Sequence, residues 1–299
     1  MNSGVETKTV GILYPGEMGC ALGSLLLNSS YRVLTTLEGR SHRTQRLCME
    51  AGVSVCSSVQ EVLDCSDIVI SLVTPGAALQ VAQTVAGLLR TRRKRLIYVD
   101  ANSIAPSKVL KISEVLRSGD IDLVDGSIRG LASELKRSGV LYLSGPHAAE
   151  ISEVFVSLMR VKVVGDKVGL ASGLKMALSG LPKGIVSLFV EVIELADRMG
   201  VRDEVLDVYR QVYPGVMEVV QRMLPTYPQH ARRRSEELDE LEATMVQNEM
   251  HPCVISAARQ VTSSVAEIEW EKEDNRYNLS VDGVIAAICR HQAEVRKQS

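Results

Sequence analysis

The stretch T-V-G-I-L-Y-P-G-E-M-G-C-A-L-G-S-L-L, Thr9 to Leu26, decides how the rest of this sequence is read. Val10 to Leu13 is a short apolar run of the kind that forms a strand buried on both faces. Pro15-Gly16 interrupts it, and Met18, Ala21, Leu22, Leu25 and Leu26 then recur at helical spacing. Strand, glycine turn and helix form the setting in which a dinucleotide pyrophosphate docks on the N–H groups of a helix N-terminus. Gly16 lets the backbone approach a phosphate, and Gly19 lets the helix pack close to the strand. The first glycine of the usual G-x-G-x-x-G is absent, because Tyr14 stands in its position. Taken alone, the stretch is equally compatible with an ordinary βα turn.

The residues that follow narrow the choice. Tyr31 to Leu37, rich in β-branched side chains, reads as a second strand. It runs into Glu38-Gly39-Arg40-Ser41-His42-Arg43-Thr44, where a dinucleotide-binding domain selects between the two nicotinamide cofactors. An acid there holds a ribose diol, whereas an arginine with a hydroxyl neighbour holds a 2′-phosphate. Glu38 and Arg40-Ser41 offer both, and Arg40 with Arg43 favours NADP, since a dianionic phosphate suits a guanidinium fork. The plainer alternative is a solvated loop with surface arginines.

Strand and helix patterns then alternate. Arg43 to Ala51 reads as a helix, Val53 to Cys56 as a strand, Val59 to Leu63 as a helix and Asp67 to Val73 as a buried strand. Thr74-Pro75-Gly76 follows at that strand's carboxyl end, the side on which open α/β sheets bind ligands. A helix over Ala77 to Leu89 leads to the basic run Arg90 to Arg95, read as a solvated helix end, and then to a strand over Leu96 to Asp100. Asn102 and Ser103 lie just past that strand, and Pro106 opens the next helix. Ile121 to Ile128 reads as a strand running into Arg129 and Gly130. Val140 to Ser144 and Val161 to Val164 read as later strands, with a helix over His147 to Leu158 between them. His147 stands alone in the pattern and is read as structural. From Val168 the alternation stops, and helical patterns fill Val168 to Met199, Asp203 to Val212, Gly215 to Met223, Glu236 to Val246, Val254 to Trp270 and Val281 to Val295. The expected division is therefore an α/β domain over residues 1–166 and an all-helical domain over 167–299.

Composition bounds the class. In 299 residues, 45% hydrophobic and 23% charged with a net charge of −2, there is ample material for two globular domains. Aromatics at 4% and a near-neutral balance argue against a dedicated nucleic-acid binder, which needs basic patches and stacking rings. No uninterrupted apolar run approaches the roughly 18 residues of a membrane helix, and the polar M-N-S-G-V-E-T-K-T-V start is unlike a signal peptide. A cytoplasmic location without membrane association is expected. The six cysteines, at 20, 48, 56, 65, 253 and 289, lack C-x-x-C spacing, so free thiols are expected and no metal site.

Five stretches, in order, resemble the 6-phosphogluconate and β-hydroxyacid dehydrogenase superfamily: Y-P-G-E-M-G (14–19), L-E-G-R-S (37–41), V-D-A-N-S-I-A-P (99–106), V-D-G-S-I-R-G (124–130) and G-L-A-S-G-L-K-M (169–176). They are most similar to the branch with a phosphogluconate-dehydrogenase-like helical C-terminal domain, and beyond residue 200 only H-A-R-R-R-S-E-E-L (230–238) is suggestive. The resemblance implies an N-terminal Rossmann-type, doubly wound parallel sheet followed by an all-α domain. It implies that Gly16, Glu17, Met18 and Gly19 hold the pyrophosphate and Arg40 with Ser41 the 2′-phosphate. Val73 and Thr74 would line the adenosine side, with Asn102 and Ser103 near the nicotinamide ribose. Ser127, Arg129 and Gly130 match the substrate segment, and Lys175 matches the catalytic lysine. Three positions depart from the pattern: Tyr14 replaces the first glycine, Arg129 replaces a serine, and Ser179 replaces an asparagine that orients substrate.

Lys175 is also singled out by its neighbours Leu170, Ala171, Leu174, Met176, Ala177 and Leu178, since burial among them would lower a lysine's pKa into a useful range. A lysine snorkelling from a helix face is the ordinary alternative, and Lys183 is a second candidate near the substrate. The expectation is an NADP-dependent oxidoreductase moving a hydride between nicotinamide and a small carbonyl or alcohol. The alternatives are imine reduction and a non-catalytic dinucleotide-binding regulator. The apolar side chains Ile185, Leu188, Phe189, Val192 and Leu195 predict a homodimer built through the helical half.

Overall fold

The apolar run at the start becomes β1 (Thr9–Leu13), with all five residues buried. It is followed by α1 (Glu17–Leu27), β2 (Arg32–Thr36), α2 (His42–Glu50), β3 (Ser54–Cys56), α3 (Val59–Cys65) and β4 (Ile68–Ser71). Then come α4 (Ala78–Leu88), β5 (Ile97–Asp100), α5 (Pro106–Arg117), β6 (Asp122–Arg129), α6 (Leu135–Ser138), β7 (Val140–Ser144), α7 (Ala148–Phe155) and β8 (Arg160–Gly165). The computed structural model describes residues 8–89, 95–270 and 279–298. Most of the basic run expected to cap α4 lies outside these residues, and only Arg95 is described.

The strands form one eight-stranded sheet in the order β3-β2-β1-β4-β5-β6-β7-β8. The order reverses between β1 and β4, which creates the crevice where doubly wound sheets take their ligands. The sheet departs from the all-parallel expectation at one place. β6 and β7 pair antiparallel, from Asp125 opposite Ser144 to Arg129 opposite Val140. Only a short α6 separates these strands, too little chain for the crossover that parallel pairing needs. Helices cover both faces. Val10, Ile12, Leu22 and Ile70 lie in one apolar cluster, and Leu13, Val69, Tyr98 and Ile104 in the other. β3 and β8 are the outer strands.

The remaining elements are helical: α8 (Leu170–Met199), α9 (Arg202–Val212), α10 (Pro214–Met223), α11 (Tyr227–Gln247), α12 (Cys253–Ala266) and α13 (Val281–Gln298). α11 starts nine residues before the expected Glu236. Its first turn contains Pro228, which suits a position whose N–H has no intrahelical partner, and the charged Arg232–Arg234 run hid its apolar period. The chain forms two compact units, Met1–Lys175 and Met176–Ser299. In the second unit Val186, Phe189, Val190 and Ile193 of α8 pack with Leu206, Val220, Trp270 and Ile285. α8 is long and apolar enough to cross a membrane, with an 18-residue window of mean hydropathy 1.6, of which 44% is buried. Its apolar residues do not form an unbroken run, because Lys175, Pro182 and Lys183 interrupt them.

Candidate functional site

The turn between β1 and α1 fits a dinucleotide phosphate. Gly16 is the N-cap of α1 and no side chain caps the helix, so its first N–H groups remain available to an anion. A Cβ on Gly16 would meet nothing within 4 Å, which leaves the approach open. Gly19 is required for the opposite reason: a Cβ there would lie 2.9 Å from the Pro15 Cβ and 3.4 Å from Ile12. Met18 packs half-buried on the core. Glu17 is exposed and forms an ion pair with Arg43 at 3.5 Å, so that arginine already has a carboxylate partner. Beneath the turn, Cys20 and Cys48 place their sulfurs 3.5 Å apart, each 3.9 Å from the Pro15 carbonyl. All six cysteines are free thiols, and burial pushes Cys20 up to about 12.

Past β2, Arg40 lies over the Tyr14 ring, its guanidinium carbon 4.4 Å from the ring centroid. Arg40 Nε also donates to the Glu38 carbonyl at 3.3 Å. Ser41 is the N-cap of α2, and its hydroxyl accepts from the Thr44 amide at 3.3 Å. The structure thus brings Tyr14, Arg40 and Ser41 together at the carboxyl ends of two adjacent strands.

A buried polar network ties the next two strand ends. Asn102 donates from Nδ2 to Ser71 Oγ at 3.0 Å and to Asp100 Oδ2 at 2.9 Å, and its Oδ1 accepts the Val73 amide at 2.6 Å. The Asn102 amide donates to Asp100 Oδ1 at 3.1 Å. Asn102 is therefore engaged in holding the loops after β4 and β5, whereas Thr74 is exposed and Ser103 half-buried beside it. Burial pushes Asp100 up to about 7, opposed by the Asn102 hydrogen bonds and reinforced by nearby Asp125.

On β6, Asp125 anchors the start of α8. Its Oδ2 accepts from Ser144 Oγ at 2.9 Å, Gly169 N at 3.0 Å and Ser172 N at 3.1 Å, and its Oδ1 accepts Ser172 Oγ at 2.6 Å. Ser144 in turn accepts the Ala171 amide at 3.0 Å. Gly169, at φ +99°, takes the left-handed backbone that turns the chain into the helix. Lys175 follows three residues after Ser172 and is half-buried, with Ala171 buried and Leu170 exposed, a more open setting than its apolar sequence neighbours suggested. Ser127 is fully buried, and among the described residues its hydroxyl has no hydrogen-bond partner. Arg129 and Gly130 are exposed at the end of β6.

Within the helical unit, Ser179 Oγ donates to the Met176 carbonyl at 3.0 Å. Lys183 is buried, its Nζ 3.0 Å from Glu237 Oε2 and 3.4 Å from the Ser179 carbonyl. Arg233 is 3.6 Å from the other Glu237 oxygen. His147 is not alone as the sequence suggested. Its Nε2 is 3.2 Å from Asp122, and its Nδ1 is 2.9 Å from Arg95, which also bonds Asp122 and Glu150. Among the described residues no three His, Cys, Asp or Glu side chains converge on a metal position.

Asp100, Asp125, Ser144, Ser172 and Glu237 were not singled out by the sequence. The two aspartates carried a signal, a carboxylate closing an otherwise apolar strand run, but their partners are remote in the chain.

An open sheet whose order reverses beside an uncapped helix N-terminus defines a dinucleotide-binding domain, and a helical unit follows it. Residues 9–161 match the NAD binding domain of 6-phosphogluconate dehydrogenase, and residues 196–265 match a domain of unknown function (DUF1932). The chain belongs to this 6-phosphogluconate dehydrogenase-like family of dinucleotide-binding oxidoreductases. It is 28% identical over 259 residues to an uncharacterized 28.5 kDa protein of Methanothermus fervidus, covering 86% of this chain and 99% of that one. It is 27% identical over 207 residues to glyoxylate/succinic semialdehyde reductase 1 of Arabidopsis thaliana, covering 66% and 69%. A solved protein of unknown function, described as structurally similar to 3-hydroxyacid dehydrogenases, superposes with a TM-score of 0.68 at 29% identity, covering 87% and 97%.

Proposed function

We propose that this chain is an NADPH-dependent reductase of small carbonyl compounds that carry an anionic group, with Lys175 as the proton donor. The observation that carries the reading is the anchored start of α8: Asp125 fixes Gly169 and Ser172, and Lys175 projects from the same turn of backbone. That rigidity is what a general acid needs, because proton transfer depends on a held distance. When bound, a nicotinamide dinucleotide supplies the hydride. As hydride adds to the carbonyl carbon, the C=O π pair moves onto oxygen, and the Lys175 ammonium stabilises that charge and donates a proton to it. Alcohol oxidation is the same path reversed, with Lys175 accepting the proton.

Arg40 with Ser41 is assigned to the 2′-phosphate, and Gly16, Glu17, Met18 and Gly19 to the pyrophosphate. Val73, Thr74, Asn102 and Ser103 are assigned to the rest of the dinucleotide. Asn102 acts there through the loops it holds, since its side chain is already bonded. The exposed Arg129, with Gly130, is assigned to substrate, and the arginine selects an anionic group. The Arabidopsis relative is named for glyoxylate and succinic semialdehyde, both aldehydes with a carboxylate. Lys183 belongs to the helical packing rather than to proton transfer, because Glu237 holds it in a buried pair.

The helical unit is assigned to homodimer formation, in the cytoplasm. Along α8 the residues Leu178, Leu181, Ile185, Leu188, Val192, Leu195 and Met199 alternate by three and four, the spacing of a helix–helix seam. Leu181 and Leu188 are 72% and 63% exposed within the single chain, whereas Phe189 lies in the core.

NADPH oxidation with a panel of aldehyde acids, ketoacids and cyclic imines tests the reading. Turnover confined to carbonyl acids supports it. Turnover only with cyclic imines moves the activity to C=N reduction. Tight NADPH binding with no turnover makes the chain a dinucleotide-binding regulator.

A further inference from the structure

We propose that Tyr14 is a specificity-determining residue whose ring is the platform that holds Arg40 for the 2′-phosphate of the dinucleotide. The inference rests on the NADPH reading above and adds to it a residue that stands where the usual fingerprint has a glycine.

Three observations carry it. Tyr14 follows β1 and Arg40 follows β2, and these strands pair in parallel, so the two residues leave the sheet side by side. The guanidinium lies over the face of the ring, the arrangement in which a cation gains from the ring quadrupole. The ring itself is half-buried and packs on the cluster of Leu13, Leu34 and Tyr98, so it does not drift with the arginine.

The rest of Arg40 is tethered in a matching way. Its Nε donates to the Glu38 carbonyl, and its own carbonyl accepts Gln45 Nε2 at 3.0 Å. Among the described residues neither terminal nitrogen of Arg40 is engaged in a hydrogen bond or ion pair. The side chain is thus ordered up to its fork, while the fork remains open to a planar, bidentate anion. A free arginine loses most of its rotamer freedom on gripping a phosphate, and a pre-stacked one has already lost it. Arg43, the other arginine of the loop, pairs with Glu17 instead. Tyr14 therefore acts on the phosphorylated cofactor alone, through Arg40, and not on the part that NADPH and NADH share.

The test measures Kd for NADPH and NADH in wild type, Tyr14→Phe, Tyr14→Leu, Arg40→Ala and the Tyr14→Leu/Arg40→Ala double variant. Tyr14→Phe keeps the ring and should retain the wild-type preference. Tyr14→Leu keeps apolar packing without a π face, and should lose roughly three- to tenfold in NADPH affinity with NADH affinity retained. In the Arg40→Ala background the Leu substitution should cost nothing further, since the coupling between the two positions is the effect being measured. A wild type that prefers NADPH, with a Leu variant that keeps the full preference, overturns the platform and leaves the cofactor reading intact. Equal weakening of both cofactors by Leu also overturns it. Equal affinity of the wild type for NADPH and NADH removes the cofactor reading itself.

Discussion

Asp125 Oδ1 accepts the Ser172 hydroxyl at 2.6 Å while its Oδ2 accepts the Ser172 amide at 3.1 Å, so one carboxylate from the sheet grips one residue of α8 by both side chain and backbone. The bond from the Ser172 amide spans 47 residues of chain and satisfies a donor that every helix start leaves without an internal partner. A negative charge at this end of the helix is also favoured by its dipole.

Removing that carboxylate separates its hydrogen bonds from its charge. Asp125→Asn retains an acceptor for the amides and should cost about 1 kcal/mol. Asp125→Leu leaves the Gly169 and Ser172 amides buried without partners and should cost roughly 3–5 kcal/mol. Urea unfolding of the three proteins checks the order, and equal loss in Asn and Leu would refute the anchoring role.

Much of this arrangement was legible in the sequence, and the rest was hidden for identifiable reasons. Val10 to Leu13 and Asp67 to Val73 are apolar runs that read as buried strands, and Gly19 betrays the close helix–strand contact now seen against Ile12. Local patterns do not reveal partners distant in the chain. V-D-G-S shows a carboxylate at a strand end, but not that Ser144 and Ser172 will meet it. Tyr14 read as a defect in a fingerprint because Arg40, its partner, belongs to the next strand's loop. The antiparallel β6–β7 pair was missed because the pattern of alternating apolar residues carries no direction.

The two lysines of α8 should separate by readout. Lys175→Met should lower kcat by a factor of about 10² to 10⁴ on the best substrate found, with little change in NADPH affinity. Lys183→Met should leave kcat nearly intact and reduce stability by roughly 2–3 kcal/mol, because Glu237 loses a buried partner while Arg233 remains nearby. Near-normal turnover in Lys175→Met would remove that residue from the chemistry.

Asp100 gives stability a pH dependence of definite sign. Its folded pKa of about 7 lies above the unfolded value near 4, so the fold favours the protonated carboxyl. That contribution is fully present below about pH 4 and is lost as pH rises through about 7, a difference on the order of 4 kcal/mol. Asp100→Asn is uncharged throughout and should flatten the fall in unfolding free energy between about pH 4 and pH 7. Parallel pH curves for the two proteins would show that Asp100 does not titrate in this range.

The seam on α8 predicts a particle of twice the 32.6 kDa chain mass by light scattering. Leu188→Glu, a charge in the middle of the seam, should shift the particle to the single-chain mass at micromolar concentration. A wild type that scatters as one chain would leave these leucines without the second copy proposed for them.

At the far end of the sheet, β8 has no strand beyond it among the described residues, and its exposed side chains include Arg160 and Lys162. With Lys136 and Arg137 they line a shallow cleft of about 650 Å³. An unpaired strand carrying valines, as β8 does at Val161 and Val163, is a template on which other chains can pair, and like charges along it keep them apart. Replacing Arg160 and Lys162 by neutral residues should leave the dinucleotide crevice untouched and expose the sheet to edge-to-edge aggregation.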